Sequence, residues 1–266
     1  MRGGWRTPTK RNPGRPRQRT MPSLPIESFV TDTGVAVPAV TTDQMREVDR
    51  IAVEETGPNL FQMMENAGRN LALRCIAVLG DAWREAEIVV LAGTGGNGGG
   101  GICAARHLAN RRARVTLVLS NPAELADVSR FQHQVYRSTP GGEAGLDDLT
   151  LTRADLIVDA VIGYSLSKAP RGVAREMIAW ANDSTAPILA LDVPSGINAT
   201  TGEAPGVAAR VESTLTLALP KTGLLPEKTG ALFLADIGIP GAVYAKLGID
   251  YTSPFDYRFC VPLTPV

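Results

Sequence analysis

Short apolar runs recur along the chain at residues 88–91, 115–119, 156–161, 188–191, 214–218 and 231–234. Most are continuous rather than alternating, which marks strands covered on both faces, as in a parallel sheet. Between the first four lie stretches of helical spacing: one from about Gly99, one opening at Asn121-Pro122, and one near residues 173–181. Asn121 suits a helix cap and Pro122 the first helical position, where its missing N–H is no loss. Upstream, Thr41-x-x-Gln44 has the form of a capping box, followed by Met45, Val48, Ile51 and Ala52 on one helix face. A second helix begins near Asn59, with Leu60, Met64, Ala67, Leu71 and Cys75 recurring every three or four residues. Methionines at that spacing read as core. Strands alternating with helices predict an α/β sheet with helices on both faces, and neither a repeat nor a Gly/Pro/Ser-rich linker divides the chain.

The first apolar run breaks into Gly93-Thr94-Gly95-Gly96-Asn97-Gly98-Gly99-Gly100-Gly101, and helical residues 102–108 follow at once. A strand, a glycine loop and a helix start place several backbone N–H groups around an open space, which suits phosphate. A tight turn without ligand is the alternative, but seven glycines in nine residues lose more chain entropy than a turn requires. Gly93-x-Gly95-x-x-Gly98 has the dinucleotide spacing, yet no Asp or Glu occurs between Glu87 and Glu124 to take a ribose hydroxyl. A P-loop would close with Gly-Lys-Ser/Thr, and this loop closes with Gly101-Ile102.

Ligands of such sheets collect at the carboxyl ends of the strands, and polar residues fall there. Asp159 closes the third run and leads into Gly163-Tyr164-Ser165-Leu166-Ser167. Asp192 closes the fourth and leads into Val193-Pro194-Ser195-Gly196, and Lys221 follows the fifth. Asp159 and Asp192 could merely cap their loops, but two carboxylates beside a phosphate loop favour a site. Lys221 reads first as a solvated surface lysine. His107 and His133 have no partner at metal-ligand spacing and read as structural or surface residues.

Composition adds bounds. Hydrophobic residues make up 44% and charged residues 20% of 266, ordinary for a globular enzyme. The neutral total hides an asymmetry: seven basic residues and no acid lie in the first 20, so the remainder carries −7. An acidic body argues against a nucleic-acid surface. The basic tail could serve as a minor-groove arm or an organelle presequence, but reads best as a disordered extension or residues before a start at Met21. Cys75, Cys103 and Cys260 are odd in number and scattered, which fits buried thiols in a reducing compartment. With no apolar run of membrane length, the expected location is the cytoplasm.

Several motifs then occur in one order: Met64-Glu65-Asn66-Ala67-Gly68, the glycine-Asn loop running into Ala104-Ala105-Arg106-His107-Leu108, Asp159-Ala160, Pro170-Arg171-Gly172, and Leu191-Asp192-Val193-Pro194-Ser195-Gly196. Together they resemble the NAD(P)H-hydrate epimerase family, also called the YjeF N-terminal domain, over residues 40–240. The resemblance implies a Rossmann-like three-layer sandwich with a mostly parallel central sheet, flanked by a basic extension, 1–39, and a C-terminal extension, 241–266. It also implies a homodimer and a repair reaction. The substrate would be NADHX or NADPHX, the cofactor hydrated at nicotinamide C6, whose R and S epimers are interconverted for a separate S-specific dehydratase. By motif position a potassium ion (K+) would be held by Asn97, Asp159 and Ser195. Substrate contacts would map to Gly96, Asn97, Gly98, Gly99 and Gly100, to Gly163, Tyr164, Ser165, Leu166, Ser167, Lys168 and Ala169, and to Asp192. Asp192 is the candidate acid–base group, with Lys221 as accessory.

Two departures stand out. The family loop reads G-N-N-G-G-D-G, whereas this chain has Gly96 for the first Asn and Gly100 for the Asp. The loop after the third run reads Gly163-Tyr164-Ser165 in place of G-T-G. Two readings follow: an epimerase, or a catalytically weakened or silent member acting as a nucleotide-binding or dimerising module.

Overall fold

The computed structural model describes residues 25–151 and 153–266. The described residues form one 10-stranded sheet, in which Glu87–Ala92 (β3) and Leu156–Ala160 (β6) lie side by side in the middle of its parallel part. From β3 the sheet grows in one direction through β4 (Arg114–Leu119) and β5 (Gly142–Ala144). From β6 it grows the other way through β7 (Ile188–Leu191), β8 (Ser213–Leu217) and β9 (Ala231–Ala235), all parallel. Chain direction across the sheet therefore reverses between β3 and β6, which opens a crevice above their carboxyl ends.

Three further strands extend the β9 side in antiparallel fashion: β10 (Cys260–Pro265), β1 (Ser28–Thr31) and β2 (Ala36–Pro38). Residues 28–38 and 260–265, expected in extensions flanking a 40–240 domain, are thus strands of the same sheet. Pro262 and Pro265 concealed β10, because proline lacks the N–H a ladder uses and argues against an inner strand. The basic run 1–20 lies outside the described residues.

Both faces of the central strands are buried, as their continuous apolar runs require. Along β3, Ile88, Val90 and Ala92 pack with Leu71, Ile102 and Leu108, whereas Val89 and Leu91 pack with Met177 and Ala181. The first set comes from α2 (Leu60–Leu79) and α3 (Gly96–Ala109), the second from α5 (Gly172–Asp183). Truncating a fully buried leucine such as Leu71 in such a layer typically costs about 2–5 kcal/mol. α1 (Thr42–Ile51) begins with the expected capping box, Thr41 and Gln44 bonding reciprocally. It packs Met45, Val48 and Ile51 into a third apolar cluster with β9, β10 and α6 (Gly241–Lys246).

One helix start is corrected. Asn121 and Pro122 open only a short 3₁₀ turn, Pro122–Glu124. Leu125 then becomes extended and buries its side chain, and the helix proper, α4, runs from Asp127 to Tyr136. Cys75 and Cys103 are buried free thiols whose pKa burial pushes up to about 12, while Cys260 is only partly covered. Among the described residues no helix is long and apolar enough to cross a membrane.

Candidate active site

The crevice above β3 and β6 holds a cavity of about 550 Å³. Its first wall is the glycine segment, which is a helix start more than a loop: α3 begins at Gly96, earlier than the apolar pattern indicated. Gly93 and Gly98 admit no Cβ, since one would collide with the carbonyl of Val161 and of Gly93 respectively. The glycines from 99 to 101 serve close packing, against Met64 and Ser129, Leu191, and Ala160 in turn. Gly95 and Gly96 instead face open space. The first-turn N–H groups of a helix have no intrahelical acceptors, so this end of α3 presents donors and partial positive charge to the cavity.

Asp192, at the end of β7, takes a left-handed conformation with φ of 66°. For a non-glycine residue such a conformation is sparsely populated and persists where surroundings over-determine it. Here the backbone N–H donates to Leu215 O at 2.7 Å, and the carboxylate accepts from the Lys221 ammonium. Lys221 also donates to Leu217 O at 3.0 Å. The expectation of a solvated Lys221 fails: its side chain is 1% exposed, because Val40 pairs with its segment and draws it under the crevice. Both residues line the cavity.

Behind the wall lies Asp159, with no ion pair among the described residues. Its Oδ1 accepts from Ser195 Oγ at 2.5 Å and its Oδ2 from Ser195 N at 2.8 Å. Ser195 Oγ in turn accepts from Ile162 N at 2.8 Å. Burial pushes the Asp159 carboxyl pKa up, against those hydrogen bonds. Asn97 packs against Gly163, next to Ile162, and its buried Nδ2 has no partner. A buried carboxylate lacking a counter-charge, a hydroxyl, and an orphaned amide whose half-turn would present oxygen make a donor set suited to a hard cation.

Of the residues assigned to substrate by resemblance, Gly96, Asn97, Gly100, Gly163, Tyr164, Ser165 and Asp192 line the cavity. Gly98 and Gly99 lie in the helix packing beneath it, and Leu166, Ser167, Lys168 and Ala169 continue along the loop away from it. Met45 and Met64 are buried, as their spacing read, and with Met63 they also line the cavity. Asp49 of α1 does so too, and its carboxylate accepts from the Tyr164 hydroxyl. Its signal was legible: Met45, Val48, Asp49 and Ala52 follow i, i+3, i+4, i+7, which puts a charge inside an apolar stripe.

A second polar cluster joins α2 to α3. Glu65, Cys103 and His107 come together at metal-ligand distances. However, Arg106 donates to Glu65 Oε2 at 2.5 Å and contacts Cys103 Sγ at 3.4 Å, so a guanidinium already occupies the place of a cation. His107 completes the set at 2.8 Å from Glu65 Oε1, which makes it a structural residue as expected. Arg106 and His107 hold the Glu65 pKa down at about 2 although burial opposes them. Because folding lowers this pKa, the stability it supplies is present above the ordinary value of 4.5 and is lost as pH falls through about 2. Glu65→Gln is expected to lower Tm by about 2 °C at neutral pH, a small effect because the pair is partly solvated. Melting curves across acid pH check this: the gap between variant and wild type should close between pH 4.5 and about 2.

The fold defines a class: doubly wound α/β proteins, here with a cavity at the switch point that brings the start of α3 near the buried Asp192–Lys221 pair. The sequence pattern described as YjeF-related protein N-terminus matches residues 60–223, and the chain belongs to that family. It is 48% identical to a protein of Dehalogenimonas lykanthroporepellens named NAD(P)H-hydrate epimerase, over 89% of this chain and 97% of that one. It is 40% identical to the bifunctional NAD(P)H-hydrate repair enzyme Nnr of Salinibacter ruber, over 76% of this chain and 41% of that protein. A 29% identity to enhancer of mRNA-decapping protein 3 of Macaca fascicularis covers 93% of this chain and 49% of that protein. The chain thus spans about half or less of these last two relatives. The crystal structure of yeast ynu0 matches the fold, with a TM-score of 0.72 at 20% identity, over 86% of this chain and all of that one.

Proposed function

We propose that this protein is an NAD(P)H-hydrate epimerase, an isomerase that interconverts the R and S forms of NADHX and NADPHX. The observation that carries this reading is the 48% identity running along nearly the whole of a relative of that name. The site chemistry supports it. At the hydrated C6 a hydroxyl shares its carbon with the ring nitrogen N1. Inversion needs that carbon's bond to oxygen or to N1 to break and re-form, with one proton delivered and one removed. Asp192 would move that proton, and the Lys221 ammonium that donates to it would hold the carboxylate in orientation. The N-terminus of α3 would hold the pyrophosphate.

Asn97, Asp159 and Ser195 would hold a potassium ion, which supplies positive charge to a buried carboxylate and stiffens the loops around the cavity. A homodimer in the cytoplasm, working with a separate S-specific dehydratase, completes the reading. The bifunctional relatives' name is consistent with two linked repair steps.

The test mixes R and S hydrates with an S-specific dehydratase, and follows recovery of dihydronicotinamide absorbance with and without this protein. Rapid, complete recovery supports the epimerase. Recovery no faster than the control favours an interaction module, the reading to which the decapping-protein match over 93% of the chain lends support.

Gly100 refines the test. A Cβ there would meet Leu191 Cδ2 at 2.7 Å, the movable end of a side chain, so Gly100→Asp should fold. Restoring the family's polar partner is expected to raise kcat/KM by roughly tenfold. No change would mean that Gly100 does not limit turnover.

A further inference from the structure

The Asp49–Tyr164 contact ties α1 to the loop after β6 across 115 positions of sequence. Thr42, at the start of α1, reinforces the junction: its hydroxyl donates to Tyr164 O at 3.5 Å, and Thr200 Oγ1 lies 3.0 Å from it. The Tyr164 ring centroid is 5.8 Å from Lys221 Nζ. Asp49, Tyr164, Asp192 and Lys221 therefore meet in one cavity, contributed by four separate segments.

Two forces set the ring. The Asp49 carboxylate, losing water to burial, needs the phenolic donor, and an aromatic face attracts a nearby ammonium. A ring held there displaces water from Lys221, and the Asp192–Lys221 attraction grows as the local dielectric falls. The geometry assigns Asp49 a positioning role: it latches Tyr164 over the Asp192–Lys221 pair and keeps bulk water off that pair. Tyr164 replaces the Thr of the family loop, so the latch belongs to this chain's own cavity. Burial raises the Asp49 pKa while the Tyr164 bond and the Lys221 charge oppose it, as expected where water is scarce. Only the kinetic consequence of the latch rests on the epimerase reading.

The experiment combines fluorine NMR of fluorotyrosine-labelled protein with steady-state epimerase kinetics. The Tyr164 signal is assigned by its absence in Tyr164→Phe. In Asp49→Ala its solvent isotope shift should rise towards that of Tyr257, which is 84% exposed. The kcat should fall roughly tenfold with KM nearly unchanged. Asp49→Asn, whose amide oxygen accepts the same bond, should restore both. Tyr164→Phe should lose as much kcat as Asp49→Ala, and the double variant no more than either. An unchanged Tyr164 shift in Asp49→Ala overturns the latch, as does failure of Asp49→Asn to restore it. If Asp49→Ala does not fold, Asp49→Leu fills the space and is read in the same way. A wild type without turnover sinks the epimerase reading, while the NMR arm still decides the latch.

Discussion

Asp192→Asn is expected to lower epimerase turnover at least about a hundredfold while the chain stays folded, since placed acid–base groups commonly supply factors of that size. The amide occupies the same volume and still offers Lys221 an oxygen, so the packing around the left-handed residue at the end of β7 persists. What it removes is a group that can gain and lose a proton. Asp192→Ala should do more. It leaves the Lys221 ammonium, 1% exposed, without its carboxylate, and breaking a buried pair from one side costs about 3–5 kcal/mol. The coupled hydrate assay and thermal melts separate these effects: the Asn variant, which keeps an oxygen on Lys221, loses rate with a smaller drop in Tm than the Ala variant, which loses both the charge and the hydrogen bond. Near-normal turnover in a folded Asp192→Asn protein would remove Asp192 from the chemistry.

Potassium is expected to raise the melting temperature of the wild type in a saturable way, and to leave that of Asp159→Asn unmoved. Asp159 is enclosed with hydrogen-bond donors and no counter-charge among the described residues, and burial raises its pKa, so a bound cation would relieve the cost of ionising it there. At a hundredfold excess over Kd, binding to the folded state alone contributes about 2.7 kcal/mol, or roughly 5–10 °C for a chain of this size. Tetramethylammonium at the same ionic strength is the control, because its methyl groups keep its charge from close contact with oxygen ligands. An equal rise with both cations, or a rise that survives Asp159→Asn, would dismiss the ion site. Ser195→Ala should weaken the response without abolishing it, because the carboxylate remains.

The α/β layering was legible from local pattern. Runs buried on both faces marked β3, β4, β6, β7, β8 and β9, and the Thr41–Gln44 box marked the start of α1. Where neighbouring residues compete, the reading was weaker. Asn121-Pro122 carries the right cap chemistry, but burial of Leu125 delays the helix to Asp127. The prolines of β10 disguised an inner strand. Of the site, the strand-end carboxylates and the glycine segment were visible in sequence, because the carboxyl edge of a parallel sheet is where ligands bind.

By itself the sequence determined which segments become strands and helices, that their sheet is covered on both faces, and which loops can carry chemistry. Those properties depend on side-chain period, capping and turn preference, all set within a few residues. Only the tertiary structure decided that Lys221 is buried against Asp192, that Asp49 reaches Tyr164, and that the methionines of α1 and α2 face a cavity as well as a core. Such contacts depend on the order of strands across the sheet and on its reversal between β3 and β6. That order follows from the packing of the whole chain, and no local stretch of sequence encodes it.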